Sequence, residues 1–292
     1  MLLSVATLGA CSPPDAVEPA RTFAYPEPRQ VACDKALIPP TGIAASVTDP
    51  RFSYQVRTPA NFDPDVAHPL LVVYAAATAS AERSERFTQL TAEATGRGFI
   101  VAYVDHRPMS RRSVVALGAV AQSVAERWCI DPQRVYFTGH SDGATVSTAL
   151  ALLPESRERV AGIAVIAAGF NAQDLREMGC RAPLPVMVMH GSQDQLFPGW
   201  GREAANWWAA CNGCTEPPPQ TATEATPDPD GCRAFAGCRP GAPVLYCEGP
   251  GSHNAWPGLQ GRMLDFLLTG HRPGNAHPIV PPNAPASPQK DP

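Results

Sequence analysis

Val135-Tyr-Phe-Thr-Gly139-His-Ser141-Asp-Gly143-Ala is the stretch of sequence that decides the fold of this chain. A run of β-branched and aromatic residues is followed by a serine between two glycines, and then by a segment of helical character, Ala144 to Leu153. A strand, a strained turn and a helix, in this order, are what a nucleophile elbow requires. The glycines leave room for the backbone of the serine, and the start of the helix directs N–H groups at developing negative charge. The stretch therefore predicts that Ser141 is a catalytic nucleophile.

A serine hydroxyl becomes a nucleophile when a histidine accepts its proton and a carboxylate orients the histidine. In folds with this elbow, the acid and then the histidine follow the serine along the chain, on loops after later strands. Pro185 to Gly191 is typical of a short buried strand, and Asp194 follows it. Val244 to Glu248 is typical of another strand, and His253 lies on the glycine-rich loop behind it. The order predicts a triad of Ser141, Asp194 and His253.

Other histidines and aspartates fit these roles less well. His140 lies inside the elbow and is expected to pack against the turn, and His190, at a strand end, is expected to be buried and structural. The remaining histidines lack a position between a strand and a loop: His68, His106, His271 and His277. Three further candidate acids do not directly follow an apolar strand: Asp174, Asp228 and Asp230.

These motifs resemble those of a known family. The likeness runs from about Cys33 to Leu268 and is carried by Arg57-Thr-Pro-Ala-Asn-Phe, Pro69-Leu-Leu-Val-Val, Gly98-Phe-Ile-Val-Ala-Tyr, Cys129-Ile-Asp-Pro-Gln-Arg-Val-Tyr-Phe-Thr-Gly-His-Ser-Asp-Gly, His190-Gly-Ser-Gln-Asp194 and His253-Asn-Ala-Trp256-Pro-Gly. In these segments the chain resembles the secreted esterases that include polyhydroxybutyrate depolymerases and feruloyl and acetylxylan esterases, within the α/β-hydrolase superfamily. The resemblance implies hydrolysis of a carboxylic ester without a cofactor or a metal ion.

The oxyanion hole is expected to use two backbone N–H groups. The first belongs to Asp142, the residue after the nucleophile. After the strand Leu70 to Tyr74 the family usually has His-Gly, whereas this chain has Ala75-Ala76-Ala77, so the second donor is expected to be Ala77. Alanine leaves a backbone less free to approach a ligand closely than glycine does. Trp256 is expected to contact substrate at the mouth of the site, with simple packing as the alternative.

Two further segments differ from the family. The stretch from His106 to Arg112 is short and basic where relatives often have a longer substrate loop, and the histidine loop is one residue longer before Trp256. The acyl group is therefore open among hydroxyalkanoate, hydroxycinnamate and acetate. Two other functions are alternatives to an esterase. One is a serine peptidase, because the same triad cleaves amides, and the other is a catalytically impaired surface lipoprotein that keeps the hydrolase fold, which the missing His-Gly favours.

The chain alternates apolar strand-like runs with segments of helical character. Single helices are predicted over Ala81 to Gly96 and over Val114 to Trp128, and further helices over Gly201 to Cys211 and Gly258 to Leu268. This alternation predicts an α/β-hydrolase fold with a doubly wound, mostly parallel sheet, in a single catalytic domain over residues 31–270.

Composition fits one domain with appendages: 292 residues, 44% hydrophobic, with a formal net charge of −4. The chain has no surplus of basic residues that would favour binding to nucleic acid, and no apolar run is long enough to span a bilayer. The expected partner is therefore a small-molecule or polymer ester substrate.

The N-terminus indicates export. Leu8-Gly-Ala-Cys11 resembles a bacterial lipobox, in which the cysteine is lipidated, and an apolar stretch precedes it. Residues 1–30 are then a signal and a disordered tether, and the protein is secreted or lipid-anchored outside the cytoplasm, touching a membrane only through the anchor. The alternative is a short buried segment with a free thiol at Cys11. The proline-rich tail over residues 271–292 lacks periodicity and is expected to be disordered.

Eight cysteines follow Cys11, and an even number in an exported chain favours disulfides. Five of them lie between Cys211 and Cys247, so one there pairs outside this cluster or stays free. The family resemblance implies the pair Cys214 and Cys238, and the other pairings stay open. A zinc site built from Cys211 and Cys214 with Cys232 and Cys238 is the rival interpretation, which the wide second spacing disfavours.

Overall fold

The computed structural model describes residues 45–157, 160–215 and 230–270. Its strands are β1 (Ala45–Asp49), β2 (Phe52–Arg57), β3 (His68–Tyr74), β4 (Ile100–Val104), β5 (Ile130–His140), β6 (Gly162–Ile166), β7 (Val186–Gly191), β8 (Cys232–Ala234) and β9 (Val244–Gly249). Its helices are α1 (Ala81–Thr88), α2 (Leu90–Gly96), α3 (Arg111–Leu117), α4 (Val120–Ala125), α5 (Asp142–Leu152), α6 (Pro154–Arg157), α7 (Ala172–Met178), α8 (Trp200–Cys211) and α9 (Gln260–Thr269).

Several sequence predictions fall outside these described residues. They are the signal and tether of residues 1–30, lipidation of Cys11, and the tail of residues 271–292. Most of the proline-rich stretch between Cys214 and Gly231 lies outside them as well. These stay predictions.

The strands form one nine-stranded sheet in the order β1-β2-β4-β3-β5-β6-β7-β9-β8. Six consecutive strands of the sheet run parallel to one another: β4, β3, β5, β6, β7 and β9. The antiparallel strands β1 and β2 lie at one edge, and β8 lies at the other. The predicted mostly parallel sheet is therefore confirmed. Parallel strands keep their carboxyl ends on one edge, which is where loops carry functional side chains in this architecture.

Helices cover both faces of the sheet, and the burial of the central strands shows it directly. Every residue of β3 is buried. Leu70 and Val72 pack into the cluster that includes α5 and α8, whereas Leu71 and Val73 pack into the cluster that includes α2 and α9. A strand that is apolar on both faces is typical of a parallel sheet with helices on either side. The fold is the doubly wound single domain that the sequence predicts.

Two helices predicted as continuous are each split in two. The first ends where Gln89 adopts a left-handed backbone with φ of 51°, so α1 and α2 are separate helices. The second is interrupted around Gly118, where an added Cβ would lie 2.9 Å from Leu150 Cδ2 of α5. The spacing of hydrophobic residues in the sequence did not predict either break, because the same spacing continues across both.

Three disulfides lie within the described residues, and all of them involve the late part of the chain. Cys180–Cys211 connects the segment after α7 to the end of α8, and Cys232–Cys247 connects β8 to β9. The third, Cys214–Cys238, is the pair that the family resemblance implies. Because these thiols are oxidised, the zinc interpretation is wrong. Disulfides of this number fit a protein that folds outside the reducing cytosol.

In the part of the chain that the structure describes, no helix combines the length and the apolar character needed to cross a bilayer.

Candidate active site

Ser141 lies at the sharp turn between β5 and α5. Its backbone has φ of 54° and ψ of −118°, a conformation that residues with a side chain rarely adopt. The turn is packed against the end of β3, because a Cβ added at Gly143 would lie 2.0 Å from the carbonyl oxygen of Tyr74. A Cβ at Gly139 would lie 2.7 Å from the same oxygen. Both glycines of the G-x-S-x-G motif are therefore sterically required.

The structure brings Ser141, His253 and Asp194 into one chain of hydrogen bonds. His253 Nε2 lies 3.0 Å from Ser141 Oγ, and His253 Nδ1 lies 2.9 Å from Asp194 Oδ2. Because a carboxylate only accepts hydrogen bonds, the ring proton is on Nδ1. Nε2 is then the acceptor that faces the serine hydroxyl. This is the arrangement by which a histidine removes a proton from a nucleophilic serine.

Asp194 is held by backbone donors as well as by the histidine. Its side chain is fully buried, and its Oδ1 accepts N–H groups from Leu196 and Phe197, each at 2.9 Å. Burial alone would raise the pKa of Asp194, but the hydrogen bonds from Phe197 and His253 outweigh it and hold this pKa below its ordinary value. The carboxylate is therefore ionised at neutral pH and has a fixed orientation.

The two loops that carry Asp194 and His253 are packed directly on each other. Ser192 N–H donates to Gly249 O at 2.7 Å, and Gln193 N–H donates to Gly251 O at 3.1 Å. A Cβ added at Gly191 would lie 2.0 Å from Gly251 O, so this contact also requires a glycine. Since β7 and β9 are neighbours in the sheet, the loops meet at the same edge. Backbone hydrogen bonds thus position the acid relative to the histidine.

His140 connects the elbow to the histidine loop. Its Nε2–H donates to the backbone carbonyl of His253 at 2.5 Å, and its ring lies 5.1 Å from that of His253 between centroids. Burial lowers the pKa of His140. The second histidine expected to be structural, His190, is also buried, with Nε2 3.7 Å from Asp194 Oδ2, and burial lowers its pKa too. Both lie where the sequence places them.

The two segments expected to supply oxyanion donors lie side by side. Asp142 is the first residue of α5, and N–H groups in the first turn of a helix have no acceptor within the helix. Ala77 follows β3, in a turn closed by a hydrogen bond of 3.0 Å from Ala79 N–H to Ala76 O. The neighbouring Thr78 has φ of 61°, so the segment bends sharply without a glycine. The segment Ala75-Ala76-Ala77 therefore leads into a sharp turn without any glycine.

His106 links these two segments, and the sequence analysis missed it. Its Nε2–H donates to Asp142 Oδ2 at 3.0 Å, and its backbone N–H donates to Ala79 O at 3.1 Å. The expectation that His106 lacks a position between a strand and a loop is wrong, because it follows β4 by two residues. The rule that identified Asp194 and His253, a polar residue just after a buried strand, applies equally here.

An open cavity of about 370 Å³ lies next to the elbow turn. It is lined by Tyr74, Ala76, Ala77, Ala79, Arg83, Ser84, Phe87, Thr88, His140 and Asn254. His140 and Asn254 are the chain neighbours of Ser141 and His253, so the cavity adjoins the reacting groups. Trp256 does not line it and instead makes an edge contact with Phe87, at 6.0 Å between centroids. Its contact with substrate stays a prediction.

The chain is similar in sequence and in structure to known esterases. No family model matches the chain. Feruloyl esterase B from Piromyces equi is 26% identical over 245 residues, which cover 73% of this chain and 44% of the relative. NocK from Nocardia uniformis subsp. tsuyamanensis, an esterase by name, is 31% identical over 180 residues, covering 57% of this chain and 51% of the relative. The chain thus spans about half the length of these two curated relatives.

Solved structures match over most of the chain. Acetyl xylan esterase from Aspergillus awamori superposes with a TM-score of 0.59 at 16% identity, covering 77% of this chain and 100% of its own. S-formylglutathione hydrolase from Staphylococcus aureus superposes with a TM-score of 0.55 at 15% identity, covering 77% and 98%. The chain has the α/β-hydrolase fold. Together with the sequence relatives, these matches confirm the resemblance of this hydrolase-fold chain to feruloyl and acetylxylan esterases.

The two hydrogen bonds of His106 predict that this residue contributes to turnover. If His106 positions Asp142 and the alanine turn, H106A lowers kcat for p-nitrophenyl butyrate by about 10-fold to 100-fold, because a displaced donor stabilises the transition state less well. KM stays within about twofold, since ground-state binding does not use these donors. Steady-state kinetics on the purified protein measure both parameters.

H106Q is the matched control, because its amide N–H₂ can donate to Asp142. This variant recovers most of the lost kcat if the hydrogen bond is what matters. An H106A variant with unchanged kcat, or a change confined to KM, contradicts the positioning role.

The lowered pKa of Asp194 predicts how stability depends on pH. A carboxyl group whose pKa is lower in the folded state contributes stability above its unfolded pKa of about 3.9, and this contribution is lost as pH falls through the folded value. The difference in unfolding free energy between the wild type and D194N is therefore largest near pH 7 and shrinks below about pH 4. Urea unfolding between pH 7 and pH 3 measures it. A difference that stays constant or grows in acid contradicts the assignment.

Proposed function

We propose that this chain is a serine carboxylic-ester hydrolase in which Ser141, His253 and Asp194 form the catalytic triad. The observation that carries the proposal is the continuous set of hydrogen bonds from Ser141 Oγ through His253 to Asp194 Oδ2, at 3.0 and 2.9 Å. The strained elbow at Ser141 supports it, because such strain is characteristic of functional positions. The names of the curated relatives, both esterases, favour esters over amides as substrates.

Acylation begins when an ester carbonyl lies against Ser141 Oγ. His253 Nε2 accepts the hydroxyl proton as the oxygen attacks the carbonyl carbon, and Asp194 stabilises the resulting imidazolium. The negative charge on the tetrahedral intermediate is stabilised by the N–H groups of Asp142 and Ala77. When the intermediate collapses, the bond to the alcohol oxygen breaks. The alcohol leaves with the proton from His253, and the acyl group stays on Ser141.

Deacylation repeats these steps with water as the nucleophile. His253 accepts a proton from water, the hydroxide adds to the acyl carbon, and Ser141 leaves with the proton returned by His253. The carboxylic acid is released and the resting state is restored. The hydrogen bond from His140 to His253 O keeps the loop in one place through both halves of the reaction.

The surroundings of the site favour a bulky or polymer-linked acyl ester. Phe87, Met109 and Leu196 are 37%, 41% and 60% exposed, and they lie on segments at the carboxyl edge of the sheet. Large exposed apolar side chains near an open cleft are suited to contact an extended apolar substrate. We infer an extracytoplasmic substrate such as a polyester or an acylated polysaccharide. Lipidation of Cys11 would hold the enzyme at the cell surface while it acts.

Replacement of the nucleophile tests the proposal. S141A abolishes release of p-nitrophenol from p-nitrophenyl butyrate, because loss of the nucleophile of a serine hydrolase lowers kcat on the order of 10⁶-fold. S113A removes a hydroxyl whose partner is Ser110 rather than a triad residue, so this variant is the control and keeps full activity. Circular dichroism shows whether both variants fold. Turnover by S141A that is close to the wild-type rate contradicts the triad.

Labelling separates the alternatives. A fluorophosphonate probe modifies Ser141 in the wild type, and no label appears in S141A. A labelled protein that hydrolyses p-nitroanilides faster than esters is a peptidase. A folded protein that neither labels nor hydrolyses esters is a binding protein on a hydrolase fold.

A further inference from the structure

We propose that Arg83 is a specificity-determining residue that binds a carboxylate on the substrate, so that the preferred substrates are esters carrying a negative charge. This inference rests on the proposed esterase function and deepens it by naming the charge class of the substrate. Two groups of compounds have this chemistry. In half-esters of dicarboxylic acids the carboxylate is on the acyl side, and in acylated hydroxy acids it is on the alcohol side.

The position of Arg83 relative to the reacting groups is the first observation. Arg83 is the third residue of α1, and it lines the same cavity of about 370 Å³ as Ala77 and His140. Ala77 belongs to the expected oxyanion hole, and His140 precedes the nucleophile. A substrate whose carbonyl lies at Ser141 and whose chain extends past Ala77 and His140 enters a cavity with a guanidinium in its wall. A volume of this size is at the lower end of sites for small molecules.

The second observation is that this guanidinium is free. The acidic residues on its own helix are engaged elsewhere, Glu82 with Arg86 and Glu85 with Arg57. Within the described residues, Arg83 has no acidic partner. None of the ten residues that line the cavity is an aspartate or a glutamate. The formal charge on the cavity wall is therefore positive and uncompensated.

The neighbouring loop adds to the positive field. His106 donates its backbone N–H to Ala79, another residue of the cavity wall, so the basic segment that begins at His106 lies at the cavity rim. Its next residue, Arg107, is exposed and has no acidic partner in the described ranges. A cleft bordered by one sign of charge raises the local concentration of substrates of the opposite sign. Both arginines thus favour an anionic substrate.

Arginine suits a carboxylate because its planar fork donates two parallel hydrogen bonds. Since Arg83 is exposed to solvent, its effect is screened, and the expected preference is moderate. Hydrogen bonds between charged groups change binding by about tenfold or somewhat more. An anionic substrate is therefore expected to have a kcat/KM about tenfold above that of a neutral compound of the same shape.

The experiment compares two matched substrate pairs. Monoethyl adipate carries its carboxylate on the acyl side, and 4-(butanoyloxy)butanoate carries it on the alcohol side; the neutral partner of each is the corresponding carboxamide. Acid release is followed at constant pH for the wild type, R83Q and R86Q. R86Q is the control because it removes the same charge from the same helix, at a side chain that is 65% exposed.

The expected result is that the wild type and R86Q prefer the anionic member of at least one pair by about tenfold, while R83Q hydrolyses both members at similar rates. The pair that shows the preference identifies which side of the ester faces Arg83. Equal rates for both members of both pairs in the wild type, or a preference that survives in R83Q, overturn the inference. Hydrolysis of the neutral members in that case leaves the esterase function standing.

A binding measurement makes the inference testable without turnover. In the S141A background, monoethyl adipate and 4-(butanoyloxy)butanoate are titrated by NMR, with and without R83Q. Binding of one of them that weakens about tenfold in S141A/R83Q supports the role of Arg83 even if hydrolysis fails. Affinities that are the same in both backgrounds overturn it.

Discussion

The turn at Ser141 exists because neither Gly139 nor Gly143 carries a Cβ. A Cβ at Gly143 would lie 2.0 Å from Tyr74 O. No side-chain repacking relieves this separation, because the carbonyl oxygen belongs to the backbone and the backbone of residue 143 fixes the position of its Cβ. The end of β3 therefore packs in direct backbone contact with the elbow. This contact places the alanine turn after β3 next to the first N–H groups of α5. In the proposed mechanism, the positively charged end of that helix faces the position where an oxyanion forms.

Three loops from distant parts of the sequence meet at this elbow, and hydrogen bonds to backbone groups hold them together. Gly191 and Gly251 approach so closely that the acid loop and the histidine loop form one unit. His140 connects that unit to the elbow through the carbonyl of His253. The side chains that would react are thus positioned by a frame in which each loop is held by at least one neighbour. Such preorganisation is what electrostatic stabilisation of a transition state requires.

Much of this arrangement was predictable from the sequence, since buried parallel strands are continuous apolar runs and the elbow has a local signature. Asp194 and His253 are found by the same rule, a polar residue following a strand. His106 satisfies that rule as well, but its contact with Asp142 depends on how far β4 lies from β5, which no local pattern reports. The break at Gln89 was missed because apolar spacing continues across it. Arg83 looks like any surface arginine until tertiary structure places it on a cavity wall.

A crystal structure of the protein after reaction with diethyl p-nitrophenyl phosphate tests the central claim most directly. The account predicts phosphorus bonded to Ser141 Oγ, with the phosphoryl oxygen at about 2.7–3.1 Å from the backbone nitrogen of Asp142. It also predicts that His253 stays on Asp194 in the adduct. Modification of a different residue, or a phosphoryl oxygen that points into solvent away from Asp142, contradicts the account.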